Sequence, residues 1–264
     1  MRLRQHSIPD IVRAIEENAA ELLLKMGRLG GGEQRIDRKL SWTIGGSPID
    51  YHNCVVRADL DADEADHAIA ESIRLMTARG VPGTWHVGPS MRPSDLGRRL
   101  LAAGFSDGGT KWGMAADLSR VADESPSVDG LPINRISAPV ELETWADTLA
   151  QGFGEGEREA RWAAKVYARA GFDRFRHYLG SIGEQPVGTA TLFLGAGVAG
   201  IYFVMTVPAF RRRGIGAALT LAALREARDL GFRVGVLCSS PAGHSVYSRI
   251  GFADYCEMRL YEWS

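Results

Sequence analysis

Val207-Pro208-Ala209-Phe210-Arg211-Arg212-Arg213-Gly214-Ile215-Gly216-Ala217-Ala218-Leu219 is the stretch on which the reading of this chain turns. An apolar strand, Ala199–Val207, is predicted to run into a short basic turn that opens directly into an amphipathic helix. The first N–H groups of a helix have no partner inside it, and the helix dipole favours negative charge there. Gly214 and Gly216 let a phosphate approach the backbone without a Cβ in the way. The order of elements therefore implies a pyrophosphate cradle; an ordinary strand-to-helix turn without a ligand is the alternative. A dinucleotide-binding fingerprint fits poorly, because three arginines stand where it wants glycine and no second Gly-x-x-Gly spacing follows.

Downstream, Ile215, Leu219, Ala222, Ala223, Ala227 and Leu230 recur at helical spacing, and Gly231 ends the run. Phe232–Cys238 reads as a short buried strand, followed by Ser239-Ser240-Pro241-Ala242-Gly243-His244 and a brief helix. That helix carries Tyr247-Ser-Arg-Ile-Gly251-Phe252. Arg211-x-x-Gly214-x-Gly216 resembles the acyl-CoA-binding motif of the GNAT N-acetyltransferase superfamily, and Tyr247, four residues before Gly-Phe, looks like that family's general acid.

The resemblance implies acetyl-CoA as co-substrate and a primary amine as acceptor, attacking directly in a ternary complex. The backbone of Val204, Met205 and Thr206 would pair with the pantetheine arm. The N–H groups of Arg211, Arg212, Arg213, Gly214, Ile215, Gly216 and Ala217 would hold the pyrophosphate. Attack of an amine on a thioester must expel a thiolate, and a phenol near the sulfur can protonate it, an effect typically worth about 10²–10⁴-fold. The competing role for Tyr247 is an aromatic packed on Phe252. Ser240 stands where the family often has an asparagine that helps hold the cofactor; a hydroxyl can still hydrogen-bond.

At 264 residues the chain has room for about two domains. A composition 45% hydrophobic and 24% charged is that of a globular protein able to bury its cores. A net charge of −1 supplies no field to recruit nucleic acid or anionic lipid, so Arg211–Arg213 are aimed at a local anion. Cys54, Cys238 and Cys256 are too few and too scattered for a disulfide framework or zinc site, so no metal is expected and a reducing compartment is. Met1-Arg-Leu-Arg-Gln-His is followed by no apolar signal core, and no run reaches membrane-spanning length. The expectation is a soluble cytoplasmic protein.

Ser119–Leu131, polar and interrupted by Pro126 and Gly130, reads as a linker. It divides a first domain, residues 1–118, from a second, residues 132–264. In the second, a strand at Ile133–Ile136, helices at Glu141–Gln151 and Arg158–Ala170, and a hairpin of Phe175–Ile182 with Val187–Leu194 precede the strand that ends at Val207. This is the order of the GNAT domain, a mixed α/β sheet fold. Residues 1–118 repeat the order weakly. A helix over Asp66–Arg79 ends at Gly80, a strand covers Thr84–Val87, and Gly88-Pro89-Ser90 leads to a helix ending at Gly104-Phe105. The fold expected is therefore two GNAT-like domains in tandem. The first copy carries Leu60-Asp61-Ala62-Asp63-Glu64-Ala65-Asp66 at the phosphate turn and Leu100 at the tyrosine position, so it is expected to pack and to wall the cleft, not to bind cofactor.

A base must also take the acceptor's proton. Glu155, Glu157, Glu159, His177 and His244 are the candidates, and the sequence does not choose among them. The glycine-rich segment Gln151–Glu157 suggests a mobile acceptor-side loop, with Trp145, Phe153 and Trp162 available to line it. Two further readings stay open: a non-catalytic acyl-CoA-binding sensor or scaffold, and transfer of another acyl group or to a hydroxyl. Monomer and homodimer are both compatible with the sequence.

Overall fold

The computed structural model describes residues 7–123, 128, 130–154 and 156–264. The opening six residues, the core of the linker and Glu155 lie outside them.

Ser7 and Asp10 open the first helix, α1 (Ile8–Leu29): the Asp10 N–H donates to the Ser7 hydroxyl and the Ser7 N–H to the Asp10 carboxylate. Its inward face carries Ile11, Ile15, Leu22 and Met26 at helical spacing. Three strands follow, β1 (Glu33–Ile36), β2 (Leu40–Ile44) and β3 (Cys54–Ala58). Helix α2 (Ala62–Arg79) ends at Gly80, which takes the left-handed conformation at φ 59°. Strand β4 (Gly83–Val87), helix α3 (Leu96–Ala102) and the long strand β5 (Ser106–Asp117) complete the first half.

The second half opens with β6 (Ile133–Arg135), then helices α4 (Glu141–Phe153) and α5 (Glu157–Ala170). The antiparallel meander β7 (Phe175–Ile182), β8 (Gln185–Gly195) and β9 (Val198–Thr206) leads into α6 (Ile215–Asp229). Strand β10 (Val234–Ser239), helix α7 (Pro241–Arg249) and strand β11 (Ala253–Trp263) finish the chain.

Among the described residues eleven strands form one mixed sheet, in the order β1-β2-β3-β4-β11-β5-β10-β9-β8-β7-β6. Each half repeats one scheme: two neighbouring parallel strands, β3 with β4 and β9 with β10, joined through a helix. The closing strands are exchanged. β5, from the first half, pairs antiparallel with β10; β11, from the second, pairs antiparallel with β4. β5 and β11 then pair with each other at the centre. Gly113 sits opposite both Cys238 and Cys256, and a Cβ there would lie 2.4 Å from the Cys256 sulfur, so the crossing needs a glycine.

Packing follows the exchange. One core combines Leu22, Leu23, Met26, Cys54 and Val56 from the first half with Leu142, Trp145, Val166, Tyr167 and Phe175 from the second. Within this junction α1 is anchored by a buried asparagine. Asn18 donates to the Gly195 carbonyl at 2.8 Å and accepts from the Tyr202 hydroxyl at 2.7 Å. A buried polar side chain is tolerated when so satisfied, and here it fixes a first-half helix to the β8–β9 hairpin. Among the described residues no helix is long and apolar enough to cross a membrane.

Among the described residues three histidines are buried, His52, His86 and His177, each with its pKa pushed down to about 3, by burial first in every case. Unfolded, each would titrate near 6.5. Below that pH the unfolded chain takes up protons that the folded chain refuses, so stability is full above about 6.5 and drains away toward 3. Urea denaturation should give a stability at least about 1 kcal/mol lower at pH 5 than at pH 7. A flat profile between those values would show that these rings are charged or solvated in the fold.

Candidate active site

β9 and β10 are neighbours only at their starts, where Ala199 pairs with Gly235 and Gly200 with Val236. Beyond this they diverge. The cause lies partly in β9 itself, whose register against β8 shifts between the pairs Thr191–Tyr202 and Thr189–Met205. Phe203, inside that irregularity, has φ 51°, a conformation seldom taken by a bulky residue. The Thr189 hydroxyl donates to the Phe203 carbonyl at 2.9 Å and holds the bulge. The edge of β9 is thus left unpaired inside the sheet from Ile201 onward, with its polar backbone available to another group.

A cavity of about 320 Å³ occupies the gap. Ile201, Tyr202, Phe203 and Val204 of β9 face Leu237 and Cys238 of β10 across it, with Ser240 and Tyr247 of α7 at the same end. α4 and α5 supply Leu149, Phe153, Glu159 and Tyr167. The remaining wall comes from the first half, as Ile49, Asp50, Tyr51, His52 and Lys111.

The expected site residues divide between this cavity and the turn outside it. Val204 and Tyr247 line the cavity, while Met205 is buried against Gly152 and the α4–α5 core. The Thr206 carbonyl accepts from Arg211 Nε at 3.2 Å, and Arg211 also donates to the Gly152 carbonyl at 3.1 Å. The side chain of Arg211 thereby ties the turn to the C-terminal end of α4. Arg212, Arg213 and Gly214 are exposed, Ile215 is buried, and Gly216 and Ala217 are half-buried. Arg213 lies over the Phe210 ring, 5.4 Å from its centroid.

Gly214 is the N-cap of α6, at φ 81° and with no side-chain cap. The first bond into the helix is the Ala218 N–H to the Gly214 carbonyl at 3.0 Å, so the N–H groups of Ile215, Gly216 and Ala217 precede the helical ladder. A Cβ on Gly216 would stand 3.6 Å from Val204 and 3.8 Å from Thr206, which places the helix start over the end of the bulged strand. An unpaired strand edge, a helix N-terminus above it and an arginine-rich turn are features that fit an extended ligand ending in a pyrophosphate.

Tyr247 is half-buried, and burial pushes its phenol up to about 12, so it keeps its proton throughout the neutral range. Its ring also packs edge-on to Phe252 at 6.0 Å, so the structural and the cavity-lining roles coexist. Cys238 lies beside it in the wall, with burial raising its thiol to about 11, so this thiol is protonated in the neutral range.

Of the candidate bases, Glu159 alone among the described residues lines the cavity. One of its carboxylate oxygens caps α5 at the Gly156 N–H, 3.2 Å away. Glu157 points outward and pairs with Arg161 at 2.8 Å. His177 is enclosed by Trp145 and Tyr167, its Nδ1 2.9 Å from the Thr191 hydroxyl. His244 turns away to Asp254 at 2.9 Å and packs on Trp112. Asp50, Tyr51, His52 and Lys111 were not foreseen as wall residues. Only the sheet order reveals them, since they sit on a short turn and a strand far from the motif in sequence.

Residues 142–252 match the Acetyltransferase (GNAT) family. No curated protein matches the chain. Among solved structures, a GCN5-related N-acetyltransferase from Kribbella flavida superposes with a TM-score of 0.69 at 16% identity, covering 93% of this chain and 95% of that one. A conserved protein of unknown function from Staphylococcus epidermidis ATCC 12228 gives 0.62 at 15% identity, with 88% and 94% covered. A tandem GNAT protein from the clavulanic acid biosynthesis pathway gives 0.58 at 16% identity, with 84% and 77% covered. The resemblance drawn from the motifs is thereby shown: residues 142–252 match the GNAT acetyltransferase family, and the mixed α/β fold is shared with solved GNAT proteins, a tandem one included.

The two glycines of the turn should differ in what they tolerate. Gly214→Ala puts a Cβ on a left-handed residue and should cost about 1–2 kcal/mol in urea denaturation. Gly216→Ala meets only ordinary contacts in a helical first turn and should be neutral or slightly stabilising. The reverse order would mean that Gly214 does not hold this conformation in solution.

Proposed function

We propose that the protein is an acetyl-CoA-dependent N-acetyltransferase with one working site, in the second half of the chain. The observation that carries the proposal is the opening of β9 from β10. It leaves a bulged strand edge, Tyr247 and an amine-sized cavity together beneath the N-terminus of α6. Acetyl-CoA, when bound, supplies the thioester to be attacked.

In this reading the backbone of Val204, Met205 and Thr206 orients the pantetheine arm along the free edge of β9. The N–H groups from Arg212 to Ala217 hold the pyrophosphate, with the Arg212 and Arg213 side chains exposed beside it; the Arg211 N–H, expected to join them, is taken by the Pro208 carbonyl at 3.3 Å. Arg211 shapes the turn instead, its guanidinium donating to the Thr206 and Gly152 carbonyls. Phe153, Tyr167, Tyr202 and Phe203 keep water from the reacting end of the cavity. Glu159 takes a proton from the acceptor amine at its carboxylate. Tyr247 gives its phenolic proton to the sulfur as that sulfur leaves. A phenol held at about 12 is a donor at every physiological pH, and its raised value means the proton is lost only as the pH approaches 12.

Calorimetric titration of the full chain with acetyl-CoA should give one site per chain. Gly214→Glu places bulk and negative charge at the turn and should weaken that binding at least about tenfold, with circular dichroism unchanged. Normal binding by the variant would remove the turn from the site. Tyr247→Phe should keep acetyl-CoA affinity and lower kcat with an accepted amine by about 10²–10⁴-fold. Equal turnover by the two proteins would exclude the acid role. A protein that binds acetyl-CoA and acetylates no amine would instead be a sensor or scaffold.

A further inference from the structure

Lys111 is the one cationic side chain among the residues that line the cavity, and it comes from the exchanged strand β5. Its neighbour Trp112 pairs with Ser239, the last residue of β10. Lys111 therefore sits just past the end of β10, beside Ser240, which caps the helix bearing Tyr247. Its ammonium rests on the face of Tyr51, 4.4 Å from the ring centroid. Among the described residues it forms no salt bridge, although Asp50 and Glu159 line the same cavity. Asp50 is engaged with the Tyr51 N–H at 2.6 Å and Glu159 with the Gly156 N–H.

A cation in such a wall is costly to keep without a partner. Taking an ammonium out of water is recovered only by a well-placed anion, and a cation–π contact with one ring offsets a part of it. Burial accordingly depresses the Lys111 pKa, and nearby acids only partly oppose this. Apart from Ser240 and the Cys238 thiol, the rest of the wall is aromatic or aliphatic, as in sites where a few charged groups fix the orientation of a largely apolar ligand. One cation and two carboxylates around an apolar cavity complement a molecule with an amine at one point and a single negative charge at another. A dianionic phosphate would face Asp50 and Glu159 with only Lys111 to hold it.

Resting on the acetyl-transfer reading, we infer that Lys111 binds a carboxylate of the acceptor, so that the acceptor is an apolar amino acid. The carboxylate lies on Lys111 above Tyr51, the apolar body lies among Tyr202, Phe203 and Phe153, and the amine faces Glu159 and the thioester end. The first half of the chain then holds the acceptor's carboxylate, while the second half holds its apolar body, its amine and the acyl donor.

The test uses matched product pairs whose binding requires no turnover: N-acetylphenylalanine against N-acetylphenethylamine, and 4-(acetamidomethyl)benzoate against N-(4-methylbenzyl)acetamide. Calorimetry on the full chain should show at least one carboxylate member bound about tenfold or more tighter than its twin. Lys111→Met should erase that preference with acetyl-CoA affinity unchanged, and Lys111→Arg should retain part of it. Equal binding within both pairs, no binding of any member, or a preference that survives in Lys111→Met would overturn the inference. If Lys111→Met does not fold, the wild-type comparison and Lys111→Arg still decide. The acetyl-transfer reading fails separately, on acetyl-CoA titration and on Tyr247→Phe.

Discussion

The pairing of β5 with β10 is the constraint on which the rest of the structure depends. It runs from Asp117 opposite Val234 to Trp112 opposite Ser239, and it closes an edge that the second half would otherwise leave open. Unpaired edges in a sheet invite association with other chains; here the partner is supplied within the chain, and β11 returns the same service to β4. The strand ladders and the core that holds both Leu22 and Trp145 run across the division expected at residues 119–131. Lys111, in the first-half wall of the cavity, is therefore fixed by backbone hydrogen bonds in the sheet. Lys111 arrives beside Ser240 because Trp112 is in register with Ser239.

The second constraint is the departure of β9 from β10. A strand pair separates only if something else holds each member. β10 is held by β5, and β9 by β8 on one side and by α1 beneath it. Asn18 bonds both the Gly195 carbonyl at the hairpin and the Tyr202 hydroxyl just before the bulge. Glu21, one turn on, accepts the Ala196 N–H at 2.9 Å and pairs with Arg174 at 2.5 Å. Those contacts pin the hairpin end while the aromatic rings of Trp145, Tyr167, Tyr202 and Phe203 fill the space behind the bulge. The gap exists because both strands are tied elsewhere, and a first-half helix provides one of the ties.

Local signals carried much of the second half into view. The strand before Pro208, the glycine turn, the helix closed near Gly231 and the short helix around Tyr247 each rest on neighbouring residues, and their observed limits agree within a few positions. α1 was missed even though Ser7, Pro9 and Asp10 mark its start, because its inward face also includes Asn18 and Gly27. β2 was hidden for a different reason. All five of its residues are buried, Ser41 and Thr43 among them, so the alternation that marks a half-buried strand is absent. The strand exchange had no local signature at all. Nothing in Ser106–Asp117 distinguishes pairing with β4 from pairing with β10, and the cavity wall at Asp50–His52 and Lys111 depends on that choice. The residues proposed for the phosphate turn and the acid rest on local motifs; the cavity wall from the first half, assembled from distant segments, has no such local mark.

The two halves also show what separates a helix start that holds itself from one that can hold a ligand. α2 and α6 occupy corresponding places, each following the first of two parallel strands. α2 begins with Asp61, Asp63 and Glu64, and the Glu64 carboxylate accepts the Asp61 N–H at 3.1 Å while pairing with Lys39 at 2.6 Å. Acids in a first turn answer the helix dipole from within. α6 has no acid in its first turn, no side-chain cap, and a left-handed glycine where α2 has an aspartate. Three arginines precede it. One helix N-terminus is neutralised by its own sequence and serves packing; the other keeps its positive end and its free N–H groups directed outward. An acidic residue introduced into the first turn of α6 would therefore move it toward the self-neutralised class without changing the fold around it.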